Sequence, residues 1–284
     1  CMFSHLGKKA FEDSSARHEN LLDMLQRAGL AVVWIDNQSG CKGLCDRVPN
    51  ANTRDLKQPG LCDSGDCLDE VMLGEMERQR AALPPERKQL GTVVVLHACC
   101  HNPTGGDLDA AQWAQVVQTV QARQLVPFLD MAYQGFGDGI AEDGAALQQF
   151  LGSGMDFLVA TSFSKSFSLY GERVGALSVV CKDKDETSRV LSRLKMMIRG
   201  NYSNPPTHGA TVVTTVLNTP ELRRQWEDEL GGMRLRIRAM REALVKQLAE
   251  AGVQADMRFI LRQKGMFSYS GLSAAQMQRL RSEF

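Results

Sequence analysis

An α/β fold, with a mostly parallel but mixed sheet, flanking helices and part of a smaller α+β domain, is predicted by three observations. From residue 91 onward, short apolar runs alternate with amphipathic stretches, the order expected of strands joined by crossover helices. The runs "TVVVLHACC" (92–100) and "VPFLDMAY" (126–133) are almost unbroken in apolar residues, as central strands covered on both faces require. Beyond residue 219 the pattern changes to apolar residues at steps of three and four, sustained for about 30 residues, which is one long helix.

The elements follow in order. Residues 19–36, "ENLLDMLQRAGLAVVWID", read as helix, glycine turn and strand, whereas 37–67 is polar, without periodicity, and is expected to be an inserted surface loop. Between the two apolar strands, Trp113, Val116, Val117 and Val120 fall on one helical face, suited to a crossover helix. "AEDGAALQQFLGSG" (141–154) repeats that pattern before a third strand at 156–163. A fourth strand, "RVGALSVV" (173–180), follows too closely for a helical crossover and is expected to enter antiparallel. Thr219-Pro220-Glu221 reads as an N-cap followed by proline at the first helical position, and Leu222, Trp226, Leu230, Met233, Ile237, Met240, Leu244 and Leu248 continue the helix toward Gly252. "GMFSYSG" (265–271) reads as a strand, and Ser273 with Gln276 as a capping box opening a last helix through Met277, Leu280 and Phe284. The expected domains are a large one over 1–220, incomplete at its N-terminus, a linking helix over 221–252, and the start of a small domain over 253–284.

Lysine plus arginine equals aspartate plus glutamate, 33 against 33, so no basic excess points to nucleic acid or an anionic membrane. No run approaches membrane-spanning length, and "CMFSHLGKK" lacks a secretory h-region. A soluble cytoplasmic protein with reduced thiols is expected, with a mitochondrial compartment left open because Cys1 stands where an initiating methionine would. The eight cysteines include Cys41, Cys45, Cys62 and Cys67, spaced more loosely than paired zinc knuckles, so free thiols are expected and no metal. His97, Cys99, Cys100 and His101 raise a Cys-His hydrolase as an alternative, but alternation along a strand disfavours it, and the two histidines read as support beside a site.

Ligands of open α/β sheets bind beyond the carboxyl ends of the strands. There the three parallel strands deliver "HACCHNPTGG", "DMAYQG" and "SFSK". Lys165 supplies an amine, Asp130 a carboxylate, Tyr133 a phenol, Asn102 an amide and Ser162 a hydroxyl, with Arg173 close behind. A lysine able to form a Schiff base and a carboxylate able to hold a proton on a heterocyclic nitrogen are what pyridoxal phosphate requires. Asn102 and Tyr133 suit the ring's phenolic oxygen, Ser162 and Arg173 a phosphate.

The stretches "HACCHNPTG", "DMAYQGF", "SFSKSFSLYGERVGA", "IRGNYSNPPTHGA" and "QKGMFSYSGL" closely resemble the aspartate and aromatic aminotransferases, the class I pyridoxal-phosphate enzymes. The resemblance is dense from about 91 to 284 and weaker from about 17 to 36. It implies the fold of the large domain of these enzymes and a homodimer with active sites at the subunit interface. It also implies transamination between an amino acid, aspartate or an aromatic one, and 2-oxoglutarate by ping-pong kinetics. Lys165, Asp130 and Tyr133 would be catalytic; Asn102, Asp130, Tyr133, Ser162, Lys165 and Arg173 would hold pyridoxal 5'-phosphate; Arg199, in "IRGNYS", and Asn102 would bind substrate. Another enzyme on the same cofactor, a decarboxylase or lyase, and a non-catalytic dimerising remnant are the alternatives. Several family parts are not found in the chain: the N-terminal arm, the phosphate-binding glycine and serine loop, and the C-terminal arginine for the α-carboxylate, which would fall beyond Phe284. Only Phe11 stands near the expected ring-stacking aromatic, and Leu21 occupies the place of a histidine. Weak cofactor binding and little turnover are therefore expected of residues 1–284 alone.

Overall fold

The computed structural model describes residues 26, 34–36, 50–52, 62–63, 66–67, 69–88 and 91–284. The chain divides into two compact units, 1–92 and 93–284. In the first, β1 (Trp34–Asp36) pairs in parallel with β2 (Asn50–Asn52), and β3 (Cys62–Asp63) pairs antiparallel with β4 (Asp66–Cys67). Helices α1 (Asp69–Ala82) and α2 (Pro85–Lys88) follow. The strand expected near residue 36 is present, while the helix before it lies outside the described residues except for Gln26. Within 37–67, the stretch expected to be an inserted surface loop, strands of two or three residues form, too short to leave a periodicity to detect. Phe11, Leu21, Cys41 and Cys45 lie outside the described residues.

The second unit carries a four-stranded sheet in the order β5 (Val93–His97), β6 (Val126–Met131), β7 (Phe157–Ser162), β8 (Gly175–Val180). The first three strands are parallel and β8 is antiparallel to β7, as the short β7–β8 connection requires. One face is sealed by α3 (Ala110–Ala122) and α4 (Ala145–Ser153). Trp113, Val117 and Val120 of α3 and Phe150 of α4 are buried with Leu129, Met131, Phe157 and Val159 of the sheet. Phe150 packs on both Trp113 and Phe157, at 6.3 and 5.8 Å between ring centroids. On the opposite face Val93 and Val95 of β5 and Leu177 of β8 are exposed while Phe128 and Leu158 are half-buried, which corrects for β5 the expectation of cover on both faces. An apolar run records what a strand could bury, but cover for its second face must come from chain remote in sequence.

Helices α5 (Lys184–Asn201), α6 (His208–Asn218) and α7 (Pro220–Glu250, 31 residues) follow. Pro220 opens α7 as expected, but Thr219, although extended, makes no side-chain capping bond. Within the apolar stripe of α7 only Leu230 is fully buried, and with the half-buried Trp226 and Ile237 it packs on Cys99, Cys100, Tyr133 and Phe136. Leu222, Met240 and Leu244 are exposed. A 3-10 turn, Arg258–Arg262, leads to α8 (Ala274–Glu283), where the Ser273–Gln276 capping box is formed as the sequence predicts. No strand forms over 265–271. That segment is held instead by side chains: Arg241 donates to Gly265 and Phe267 carbonyls and to Ser268 Oγ, and Gln263 exchanges two bonds with the Tyr269 backbone. No helix among the described residues is long and apolar enough to cross a membrane.

Candidate active site at the carboxyl edge of the sheet

The carboxyl ends of β5, β6 and β7 face one edge, and antiparallel β8 begins there. After β5 the chain folds back on Asp107, whose carboxylate accepts the N–H of Cys100 at 2.7 Å and of His101 at 2.9 Å. This loop contains a cis Asn102–Pro103 bond and lets Asn102 Nδ2 donate to Tyr133 Oη at 3.2 Å. Asp130, near the end of β6, lies level with His97 of β5 and Ala160 of β7, and the His97 ring is 4.7 Å from that of His101. Tyr133, two residues past β6, is buried, and the loop that follows it is gathered by Asp143. That carboxylate, 6% exposed, accepts the N–H groups of Gly135 and Gly137 on Oδ2 and of Asp138 on Oδ1.

Ser162 ends β7, and its Oγ accepts the Ser164 N–H at 3.3 Å. The turn that follows brings Lys165 Nζ over the Tyr133 ring, 4.8 Å from the centroid. Trp226 of α7 fixes this turn: its indole donates to the Ser166 carbonyl at 2.7 Å, and its ring stacks on Phe167 at 4.6 Å. Arg173 adopts φ +52, which a non-glycine residue holds only at a cost, and its Nη1 donates to the Tyr170 carbonyl at 2.9 Å. The Phe163 N–H bond to the Val174 carbonyl keeps Ser162 and Arg173 at the same end of the β7–β8 pair. Arg199 stands in the last turn of α5, exposed, and donates to Ser203 Oγ at 2.6 Å.

Asn102 and Lys165 thus both meet Tyr133, Asp130 acts on Tyr133 through its charge, and Ser162 and Arg173 stand at the same edge. Burial pushes the Tyr133 phenol up; the Asn102 bond opposes this, and Tyr170, Asp130 and Cys100 add to the upward push. The Cys100 thiol is raised by its bond to Cys99 and by burial, the wrong direction for the nucleophilic thiolate of a Cys-His hydrolase. Cys99, Cys100 and Asp143 approach one another within 4.8 Å, but Asp143 is already engaged by three backbone donors.

Sequence reasoning missed Asp143, Trp226, Phe267 and Arg241. The Phe267 ring meets Tyr133 edge-on at 5.6 Å. Arg241 had a legible signal, since it sits four residues after Ile237 and three before Leu244, on the apolar side of α7.

An open α/β sheet that gathers an amine, a carboxylate, a phenol and an amide beyond its carboxyl edge has the arrangement in which ligand sites of this fold class are built. The chain belongs to the aminotransferase class I and II family, whose sequence pattern matches residues 73–284. It is 63% identical over 193 residues to an aspartate aminotransferase of Pseudomonas aeruginosa, covering 68% of this chain and 48% of that protein. It is 53% identical over 193 residues to an aromatic-amino-acid aminotransferase of Escherichia coli, covering 68% and 49%. A crystal structure of the aromatic-amino-acid aminotransferase of Burkholderia pseudomallei, covalently bound to pyridoxal phosphate, superposes with a TM-score of 0.75 at 49% identity, over 92% of this chain and 63% of that one. The chain spans about half the length of these sequence relatives.

Proposed function

We propose that the protein carrying this chain is an aminotransferase that uses pyridoxal 5'-phosphate to move an amino group between aspartate, or an aromatic amino acid, and 2-oxoglutarate. The observation that carries this reading is Lys165 Nζ poised over Tyr133 while Asn102 holds the phenol, in a chain 63% identical to an aspartate aminotransferase. The donor set suits the cofactor: an amine for its aldehyde, a carboxylate for its ring nitrogen, a phenol and an amide for its phenolic oxygen, and a hydroxyl and guanidinium for its phosphate. When bound, it supplies an electron sink for the bond broken at the substrate's α-carbon. Lys165 would serve as the covalent anchor and, once displaced by substrate, as the base that takes the α-proton and returns it to the carbon on the far side of the nitrogen. Asp130 keeps a proton on the ring nitrogen, Tyr133 and Asn102 orient the ring, and Ser162 and Arg173 bind the phosphate. Arg199 reaches a second copy of the chain and binds a substrate's side-chain carboxylate there, so the working unit is a homodimer. Arg199 is exposed at the end of α5, as such a role requires. The cytoplasm is the compartment this reading favours.

The test is Lys165→Ala in the full-length protein. It should abolish both the absorbance of lysine-bound cofactor and amino transfer from aspartate, tyrosine and phenylalanine to 2-oxoglutarate. Retained transfer would remove Lys165 from the role. Decarboxylation or elimination by the parent in place of transfer would overturn the reaction class.

A further inference from the structure

We infer that Arg241, midway along α7 and remote from the strand ends, is the positioning residue that clamps segment 263–268 over the site and thereby holds Tyr133 and Asn102 in place. Arg241 is 6% exposed, and a guanidinium so buried persists only where its donors are matched. Its partners all lie on one short segment: Nε donates to Ser268 Oγ at 2.9 Å, and Nη2 donates to the Gly265 and Phe267 carbonyls. This segment forms no ladder, so the guanidinium supplies its carbonyls with the donors that a neighbouring strand would otherwise provide.

The clamped segment touches the site at three points. Gly265, at φ +79, is pressed so closely on Cys100 that an added Cβ would stand 2.5 Å from the Cys100 Cβ. Lys264 N–H donates to the Gly105 carbonyl at 2.7 Å. The loop 100–105, which carries Asn102, is therefore gripped at both ends. Two residues further on, the Phe267 ring closes on Tyr133 edge-on. Asn102 and Tyr133 are the pair joined by the 3.2 Å bond, and Lys165 lies over the same ring. Arg241 touches none of these three; it acts through the backbone it fixes. That Tyr133 and Asn102 then orient a cofactor rests on the function proposed above, but the clamp itself does not.

Ionisation of the Tyr133 phenol in the cofactor-free chain reads the clamp directly. The groups around it are Asn102, Cys100, Asp130, Tyr170 and Lys165, and burial is the largest influence upon it. Its titration is isolated from those of the other three tyrosines by subtracting the same background carrying Tyr133→Phe. Arg241→Met keeps the length and apolar stem but removes every donor, so Phe267 should swing away and the phenol should titrate at lower pH than in the parent. Phe267→Leu should shift it in the same direction with Arg241 intact. Arg241→Lys, which can reach one acceptor but cannot span three, should shift it less than Arg241→Met.

A folded Arg241→Met chain whose Tyr133 titrates as in the parent would overturn the inference, as would a shift in Phe267→Leu alone. Should Arg241→Met not fold by circular dichroism, Arg241→Lys decides in the same way, a downward shift supporting the clamp and an unmoved phenol refuting it. Failure of the Lys165→Ala test leaves this titration readable, because no cofactor enters it.

Discussion

Replacing Asp143 tests how the loop behind Tyr133 is held. Its carboxylate accepts Gly135 N–H at 2.8 Å, Gly137 N–H at 2.9 Å and Asp138 N–H at 2.9 Å. Asp143→Ala leaves all three donors without their acceptor at once. A buried donor left unpaired costs about 1–3 kcal/mol, but the space vacated by the carboxyl admits water, so the low end applies to each. The sum is about 3–5 kcal/mol. Asp143→Asn keeps the volume and one acceptor oxygen. Turned toward Gly135 and Gly137, that oxygen serves two donors and leaves the amide facing the Asp138 N–H, so about 1–2 kcal/mol is lost. Urea unfolding followed by Trp113 and Trp226 fluorescence, in a Trp34→Phe background, reports on the 93–284 unit. With a slope of about 2.5 kcal/mol/M, Asp143→Ala lowers the midpoint by about 1.5 M at unchanged slope. A loss below about 1 kcal/mol for alanine, or equal losses for alanine and asparagine, would refute the three-donor account.

Leu230→Ala should cost about 3–5 kcal/mol in the same assay, since the side chain is fully buried against Cys100, Tyr133 and Phe136 and the cavity cannot collapse onto an aromatic wall. Gly265→Ala should cost about 2–4 kcal/mol, from its φ of +79 and the collision with Cys100; a neutral effect would mean the 265 loop sits elsewhere. Lys264 and Arg238 both bond Asp138, and Lys264 chiefly holds the Asp138 carboxyl below its ordinary range while Asp138 raises the Lys264 ammonium. The carboxyl's contribution is present above the unfolded carboxylate pKa and is lost as pH falls through its lowered folded value; the ammonium's is present below the unfolded lysine pKa and is lost as pH rises through its raised one. Both side chains are about two-fifths exposed, so each contribution is about 0.5–1 kcal/mol and shrinks in salt. Asp138→Asn should flatten the stability profile at both its acid and alkaline ends, and an unchanged profile would show the pair to be inert.

The legible parts of the fold were those whose cause is local. Helix α3 announces itself by Trp113, Val117 and Val120 on one face, α8 by its Ser273–Gln276 box, and β8 by a connection too short to cross the sheet. The strand ends could also be read, because Asp130, Ser162 and Lys165 each follow an apolar run. The segment 265–271 was misread because "GMFSYSG" has a strand's composition, whereas a strand also needs a partner ladder, and Arg241 took that place. The open face of β5 was misread because an apolar run does not say what will cover it.

What the sequence determined by itself was the alternation of elements, the antiparallel entry of β8 and the arrival of an amine, a carboxylate, a phenol and an amide at one edge, since all of these follow from local spacing and strand direction. Tertiary structure alone decided that Lys165 lies over the Tyr133 ring, that Asp143 ties the loop behind it, and that Arg241 reaches from α7 to the segment covering it. Those contacts join residues from 5 to 32 positions apart with no regular spacing among them, so only the packed chain brings the groups within reach of one another.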